Sequence, residues 1–256
     1  MTDERELAGI ADALNIKAGE TVLEIGPGAG ALTKALLERG ARVIAIEKDT
    51  ALAKHLEQNL CVGNGRDRSL RVICGDILKF DLGSLNLSGH IKVAGNIPYN
   101  ITSPIIEWLI SHRAVVSEAV LTVQWEVAQR LSAMPGGKEW GSLSVFLQFY
   151  ADVELLRKID KSRFYPAPKV DSSVIRMRFL ENPRFAVADE ALFFHLVRRA
   201  FQKRRKTLLN ALAEKEGKTL TKEALSEAFS SCGIDGRRRP ETLSIGEWAC
   251  LAARLG

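Results

Sequence analysis

From Thr21 onward, short runs of apolar residues alternate with longer stretches whose apolar positions recur at helical spacing. The pattern predicts strands at Thr21–Ile25, Arg42–Ile46, Leu70–Cys74, Ile91–Ala94 and Ala119–Val123. Between and around them it predicts helices at Leu32–Arg39, Ala51–Asn59, Ile105–Ile110 and Val127–Leu131, with Leu7–Leu14 as a covering helix at the start. Such alternation is the signature of a mostly parallel, doubly wound sheet. Past Gly141 the rhythm changes. Leu143–Tyr150 and Ser173–Phe179 both read as strands, separated by a proline-bearing loop, and are expected to close the sheet edge in antiparallel fashion. Glu181–Ala188 contains Pro183 and reads as a linker, after which Glu190–Phe201, Lys206–Glu214, Lys222–Ser230 and Ile245–Arg254 all carry helical periodicity. The expected organisation is an α/β domain over residues 1–181 and a small all-helical domain over residues 182–256.

A chain of 256 residues that is 46% hydrophobic and 26% charged can bury a substantial core, which excludes disorder and fibrous classes. The polar, acidic start at Met1–Glu6 and the lack of a long apolar run argue for a cytoplasmic protein without a membrane span. Cys61, Cys74, Cys232 and Cys250 are spaced 13, 158 and 18 apart, with no CxxC pair, so reduced thiols and no metal site are expected. Charge is uneven. Residues 182–256 hold 14 Lys and Arg against 9 Asp and Glu, which accounts for the whole net charge of +5. Arg204-Arg205-Lys206 and Arg237-Arg238-Arg239 form two clusters there, a candidate polyanion footprint.

The first strand runs into Glu24-Ile25-Gly26-Pro27-Gly28-Ala29-Gly30 and then a helix. Glycines allow close approach of backbone to ligand, and the helix start favours polar or anionic groups. Glu47 ends the second strand, where a carboxylate can accept from two ribose hydroxyls, and Asp76 follows the third strand, suited to an adenine amine or to capping a turn. Gly26, Gly28 and Ala31 also satisfy a dinucleotide fingerprint, so a nicotinamide enzyme stays open on the loop alone. Taken together, the loop and the two acids favour S-adenosylmethionine.

Gly95-Asn96-Ile97-Pro98-Tyr99-Asn100 follows the fourth strand. The exocyclic amine of adenine is a poor nucleophile because its lone pair is delocalised into the ring. The Asn96 amide oxygen and a carbonyl held outward by Pro98 could accept its two N–H groups, while Tyr99 offers a face for a flipped base. A strand-end turn is the plainer reading of Asn-x-Pro. Carbon methylation through a cysteine would need a Pro-Cys pair, and none of the eight prolines precedes a cysteine.

Val22–Gly28, Gly75-Asp76-Ile77-Leu78, Gly95–Thr102, Phe164–Ser172, Phe201–Leu208 and Gly233-Ile234-Asp235 resemble, in order, the motifs of the small-subunit ribosomal RNA adenine dimethyltransferases. The resemblance implies a Rossmann-like, S-adenosylmethionine-dependent methyltransferase sheet with a small helical domain for RNA. It implies dimethylation of two adjacent adenosines in the 3′-terminal hairpin of small-subunit rRNA, by a monomer acting on an assembling 30S particle. By resemblance Gly26, Gly28, Glu47, Asp76 and Asn96 contact the cofactor. Asn96, Pro98 and Tyr99 frame the amine, and Phe164 stacks on the base from the other side. Two departures stand out. Trp125 occupies a position where relatives carry lysine, which removes one RNA contact or adds a stacking one, and Met1-Thr2-Asp3 begins just past where they carry Gln-Asn-Phe-Leu, so an open and weakened cofactor crevice is expected. The macrolide-resistance branch, which methylates large-subunit rRNA, and a non-catalytic assembly factor are the competing readings.

Overall fold

In the computed structural model residues 4–60, 69–213 and 220–256 are described. Met1-Thr2-Asp3, Cys61 and the Glu214 end of one expected helix lie outside them.

The chain runs α1 (Glu4–Ala13), β1 (Thr21–Ile25), α2 (Ala31–Glu38), β2 (Arg42–Glu47), α3 (Thr50–Leu60) and β3 (Leu70–Cys74). It continues through β4 (Ile91–Asn96), α4 (Thr102–Ser111), β5 (Val116–Gln124), α5 (Trp125–Leu131), α6 (Ser142–Tyr150), β6 (Ala151–Ile159) and β7 (Ser172–Phe179). Four helices follow: α7 (Glu190–Gln202), α8 (Leu208–Leu212), α9 (Lys222–Ser231) and α10 (Ile245–Leu255). The seven strands form one sheet in the order β3-β2-β1-β4-β5-β7-β6. Strands β1 to β5 pair in parallel, and β7 joins β5 antiparallel, as the changed rhythm past Gly141 implied.

The chain divides into two units, residues 1–128 with 152–181, and residues 129–151 with 182–256. Gln129–Ala151 groups with the C-terminal helices and not with the sheet. In the first unit, Leu7, Ile10 and Leu14 near α1 and Leu32 and Leu36 of α2 share a buried cluster with Val22, Val43, Ala94, Val120 and Val174 from the strands. These strand positions lie on one face of the sheet, which α1 and α2 cover. Polar ties fix α1 over that cluster: Arg157 donates to the carbonyl of Glu6 (2.6 Å) and Arg39 to that of Ala8 (3.0 Å).

Leu143–Tyr150 is a helix, contrary to the strand expectation, and the outer strand is the next segment, Ala151–Ile159. A short apolar run fits a buried helix as well as a strand. Local polar chemistry selects the helix: Ser144 Oγ accepts from the Gly141 N–H (3.0 Å) and donates to the Arg130 carbonyl (2.6 Å). Gln148, one turn further on, donates to the carbonyls of Leu131 and Ala133 (2.9 and 2.8 Å). Phe146, Phe149 and Tyr150 then join Phe193 and Phe194 of α7 in a cluster of mostly edge-on rings. That cluster is why the segment belongs to the helical unit.

The expectation of reduced thiols is corrected at one pair. Cys232, at the end of α9, is disulfide-bonded to Cys250 of α10, and Cys74 is an exposed free thiol. Eighteen residues of separation carry no sequence signal for this, because the pairing depends on how α9 and α10 pack.

Candidate active site

Parallel strands present their carboxyl ends along one edge of a sheet, and the crevice there is where doubly wound folds bind ligands. At that edge β1 runs into a loop whose Gly26, Gly28 and Gly30 adopt φ of 64°, 58° and 87°, a left-handed backbone that side chains resist. A Cβ at Gly26 or Gly28 would find no atom within 4 Å, so the loop's backbone stands open. At Gly95 a Cβ would lie 3.0 Å from the Ile25 carbonyl, and the bare α-carbon lets β1 and β4 approach beside the loop.

Glu47 closes β2 against this loop. One carboxylate oxygen accepts from the Gly28 N–H (2.9 Å) and the other from the Asp49 N–H (2.9 Å), so the side chain is held at the strand end. Asp76 realises the capping alternative: it accepts from the Leu78 N–H at 3.1 Å and pairs with Lys48 at 2.9 Å. Those two donors, the Lys48 ammonium first, hold its carboxyl below the usual carboxylate range.

The sequence reading passed over Glu24. Its carboxyl lies beneath the loop, 1% exposed, with Oε2 lacking a hydrogen-bond partner. Burial pushes it up to about 7, offset in part by the Thr33 hydroxyl, with a smaller further rise from the charge of Glu47. A carboxylate inside the apolar strand Thr-Val-Leu-Glu-Ile was the available signal.

Asn96 ends β4, registered against Thr122 of β5. Its side-chain amide is half-buried and makes no hydrogen bond to another described residue. Ile97 is buried and anchors the turn, Pro98 is exposed, and Tyr99 opens a short 3-10 turn leading to α4. The Tyr99 hydroxyl lies 2.6 Å from Ser172 Oγ, so the ring is tied to the start of β7. Ser172 was not singled out in the sequence, since only the pairing of β5 with β7 brings it there. Phe164 is placed differently from its neighbour. It is 9% exposed and packs in the cluster with Leu7, Ile159 and Val174, whereas Tyr165 is 84% exposed.

The two basic triplets separate into different roles. Arg204 donates to the carbonyls of Lys138 (2.7 Å) and Trp140 (3.1 Å). Arg238 pairs with Glu247 and donates to the Thr242 carbonyl (2.7 Å), while Arg237 pairs with Asp235 at 3.1 Å. Arg205, Lys206 and Arg239 are exposed and have no acidic partner among the described residues.

The family model for ribosomal RNA adenine dimethylases matches residues 1–255. A ribosomal RNA small subunit methyltransferase A from Geobacter metallireducens is 44% identical over 259 aligned positions, covering 100% of this chain and 92% of that one. Its counterpart from Myxococcus xanthus is 42% identical and covers 99% and 87%. Among solved structures, a dimethyladenosine transferase from Plasmodium falciparum superposes with a TM-score of 0.81 at 27% identity, covering 98% of this chain and 95% of that one. A 23S rRNA methyltransferase superposes with a TM-score of 0.75, also at 27% identity, covering 99% and 98%.

Proposed function

Because the chain belongs to the ribosomal RNA adenine dimethylase family, we propose that it dimethylates two adjacent adenosines of small-subunit rRNA at the carboxyl ends of β1, β2 and β4. The observation that carries the reading is the unengaged Asn96 amide at the end of β4, beside a glycine loop whose backbone is open. Relatives named as small-subunit methyltransferases, 42 to 44% identical over nearly the whole chain, favour the small subunit as target.

The cofactor is S-adenosylmethionine, which when bound supplies an electrophilic methyl group on a sulfonium. The residues present fit it. Gly26 and Gly28 leave their backbone bare, and Glu47 is fixed beside them with a carboxylate able to accept from ribose hydroxyls. Glu24 keeps an unpartnered carboxyl oxygen beneath the loop, while Asp76 stands at the end of β3 for the adenine side.

Asn96 accepts an N–H of the target amine through its amide oxygen, and the adjoining backbone carbonyl at Ile97 or Pro98 takes the second. This favours a pyramidal nitrogen with its lone pair directed at the donor. The Tyr99 ring, steadied through Ser172, offers the base a face. No strong base is required, because the amine becomes acidic only as the methyl is transferred, and water takes the proton. Phe164, buried in the core cluster, would have to expose an edge to sandwich the base. The chain acts as a monomer, in the cytoplasm, on an assembling small ribosomal particle. An rRNA-binding role in assembly is compatible with catalysis. Asn96→Ala should slow methyl transfer at least ~100-fold while RNA affinity holds, and Tyr99→Phe should retain most activity. Normal turnover by Asn96→Ala would refute the mechanism.

A further inference from the structure

A cavity of about 480 Å³ opens in the α/β unit where β5 passes into α5, lined by Gln124, Trp125, Asp160, Lys161, Lys169 and Asp171 among others. Its place relative to the catalytic turn is set by sheet register. Asn96 pairs with Thr122, and Trp125 stands three residues further along the same chain, roughly 10 Å at strand rise. Ser172, which holds the Tyr99 hydroxyl, is the register partner of Gln124, and the carbonyl of Asp171 accepts from the Trp125 N–H at 3.0 Å. The cavity and the base-accepting turn thus share the β5–β7 edge.

Trp125 is locked in place. The Lys158 ammonium sits 5.2 Å from the centre of its ring and is itself held by Asp171 at 2.7 Å. Asp171 also accepts from the Lys161 backbone N–H (3.2 Å), and Asp160 accepts from that of Ser162 (2.8 Å). Both aspartates are therefore committed to donors of the protein. Lys161 and Lys169, by contrast, are exposed with no carboxylate partner among the described residues. With Lys158 they balance the three lining acids, Glu126, Asp160 and Asp171, in number. A net-neutral hollow with a pre-set indole wall suits an uncharged planar group, and two free ammonium groups at its rim suit the phosphate attached to one.

We propose that this cavity seats the base of an unpaired rRNA nucleotide next to the adenosine held at Asn96. The base contacts Trp125, and Lys161 and Lys169 meet its phosphates. This deepens the proposed rRNA reading and rests on it. The site holds the strand in line beside the reacting adenosine, and Trp125 acts by positioning.

The test uses the full chain and a synthetic hairpin carrying the two target adenosines, with a fluorescent adenine analogue at the nucleotide on either side of them. Wild-type protein should quench the analogue at one of these positions. Trp125→Ala should lose that quench and bind the hairpin ~10-fold more weakly, with cofactor affinity by calorimetry unchanged, and Trp125→Phe should keep most of both. Lys161→Ala with Lys169→Ala should lower the salt slope of binding by ~1 to 2 while the quench persists. Trp125→Leu repeats the question if the alanine variant is too unstable, a persisting quench with leucine counting against the proposal. Wild-type quench and affinity in Trp125→Ala, with methyl transfer to the hairpin intact, would overturn the base site alone. A wild-type chain that binds the hairpin and transfers no methyl would overturn the underlying reading too.

Discussion

Glu24 shows how one buried side chain can tie stability to pH. A carboxyl raised from 4.5 to about 7 keeps its proton in the folded chain where the unfolded chain has released it. Stability from this group is therefore full below about pH 4.5 and is lost as pH rises through about 7, by about 3 kcal/mol in all. Glu24→Gln removes the titration. Its unfolding free energy in urea should vary less between about pH 5 and pH 8 than that of the wild type, and should exceed it at the upper end. An identical pH slope in the two proteins would show that Glu24 is not the buried acid responsible. The same residue marks a limit of sequence reading. Gly26, Glu47 and Asn96 are visible because spacing after a strand end is a backbone property, and the structure does bring them to one edge of the sheet. Glu24 and Ser172 matter through burial and cross-strand register, which exist only once the strands have paired.

At the scale of elements, β1 and β3 have the bounds that their apolar runs predicted, while β4 ends two residues later and β5 begins three residues earlier than predicted. The first two end where glycine interrupts the run. The segment Ser142–Tyr150 was not legible, because aromatic and β-branched residues on nearly every side imitate a buried strand. What distinguishes it are the carbonyls of Arg130 and Leu131 at the end of α5, which accept from Ser144 and Gln148. The arginine triplets repeat the lesson, since adjacent residues with one charge do different things. Arg238 ties the Arg239–Thr242 turn to the first turn of α10 through Thr242 and Glu247. Arg238→Ala should therefore cost about 1 to 3 kcal/mol of stability, read from thermal or urea unfolding. The combined Arg205→Ala, Lys206→Ala and Arg239→Ala protein should instead keep its unfolding midpoint and lose ~2 to 3 from the salt slope of rRNA binding. A destabilised triple variant with an unchanged slope would reverse that assignment.

Across the whole molecule, charge follows the division into units. The C-terminal unit, residues 129–151 and 182–256, carries 16 Lys and Arg against 10 Asp and Glu, leaving the α/β unit one negative charge overall. Long-range attraction to a polyanion is thus concentrated on the helical unit, whereas in the proposed function the α/β unit acts at short range through Asn96, Tyr99 and the glycine loop. Among the described residues no helix is long and apolar enough to cross a membrane. The most direct measurement of the central claim is transfer of labelled methyl from S-adenosylmethionine to purified small and large ribosomal subunits lacking the modification, followed by mapping of the label. The account predicts label on the small subunit alone, two methyl groups on the amine of each of two adjacent adenosines in the terminal hairpin. Label confined to large-subunit rRNA, or no transfer to either particle, would contradict it.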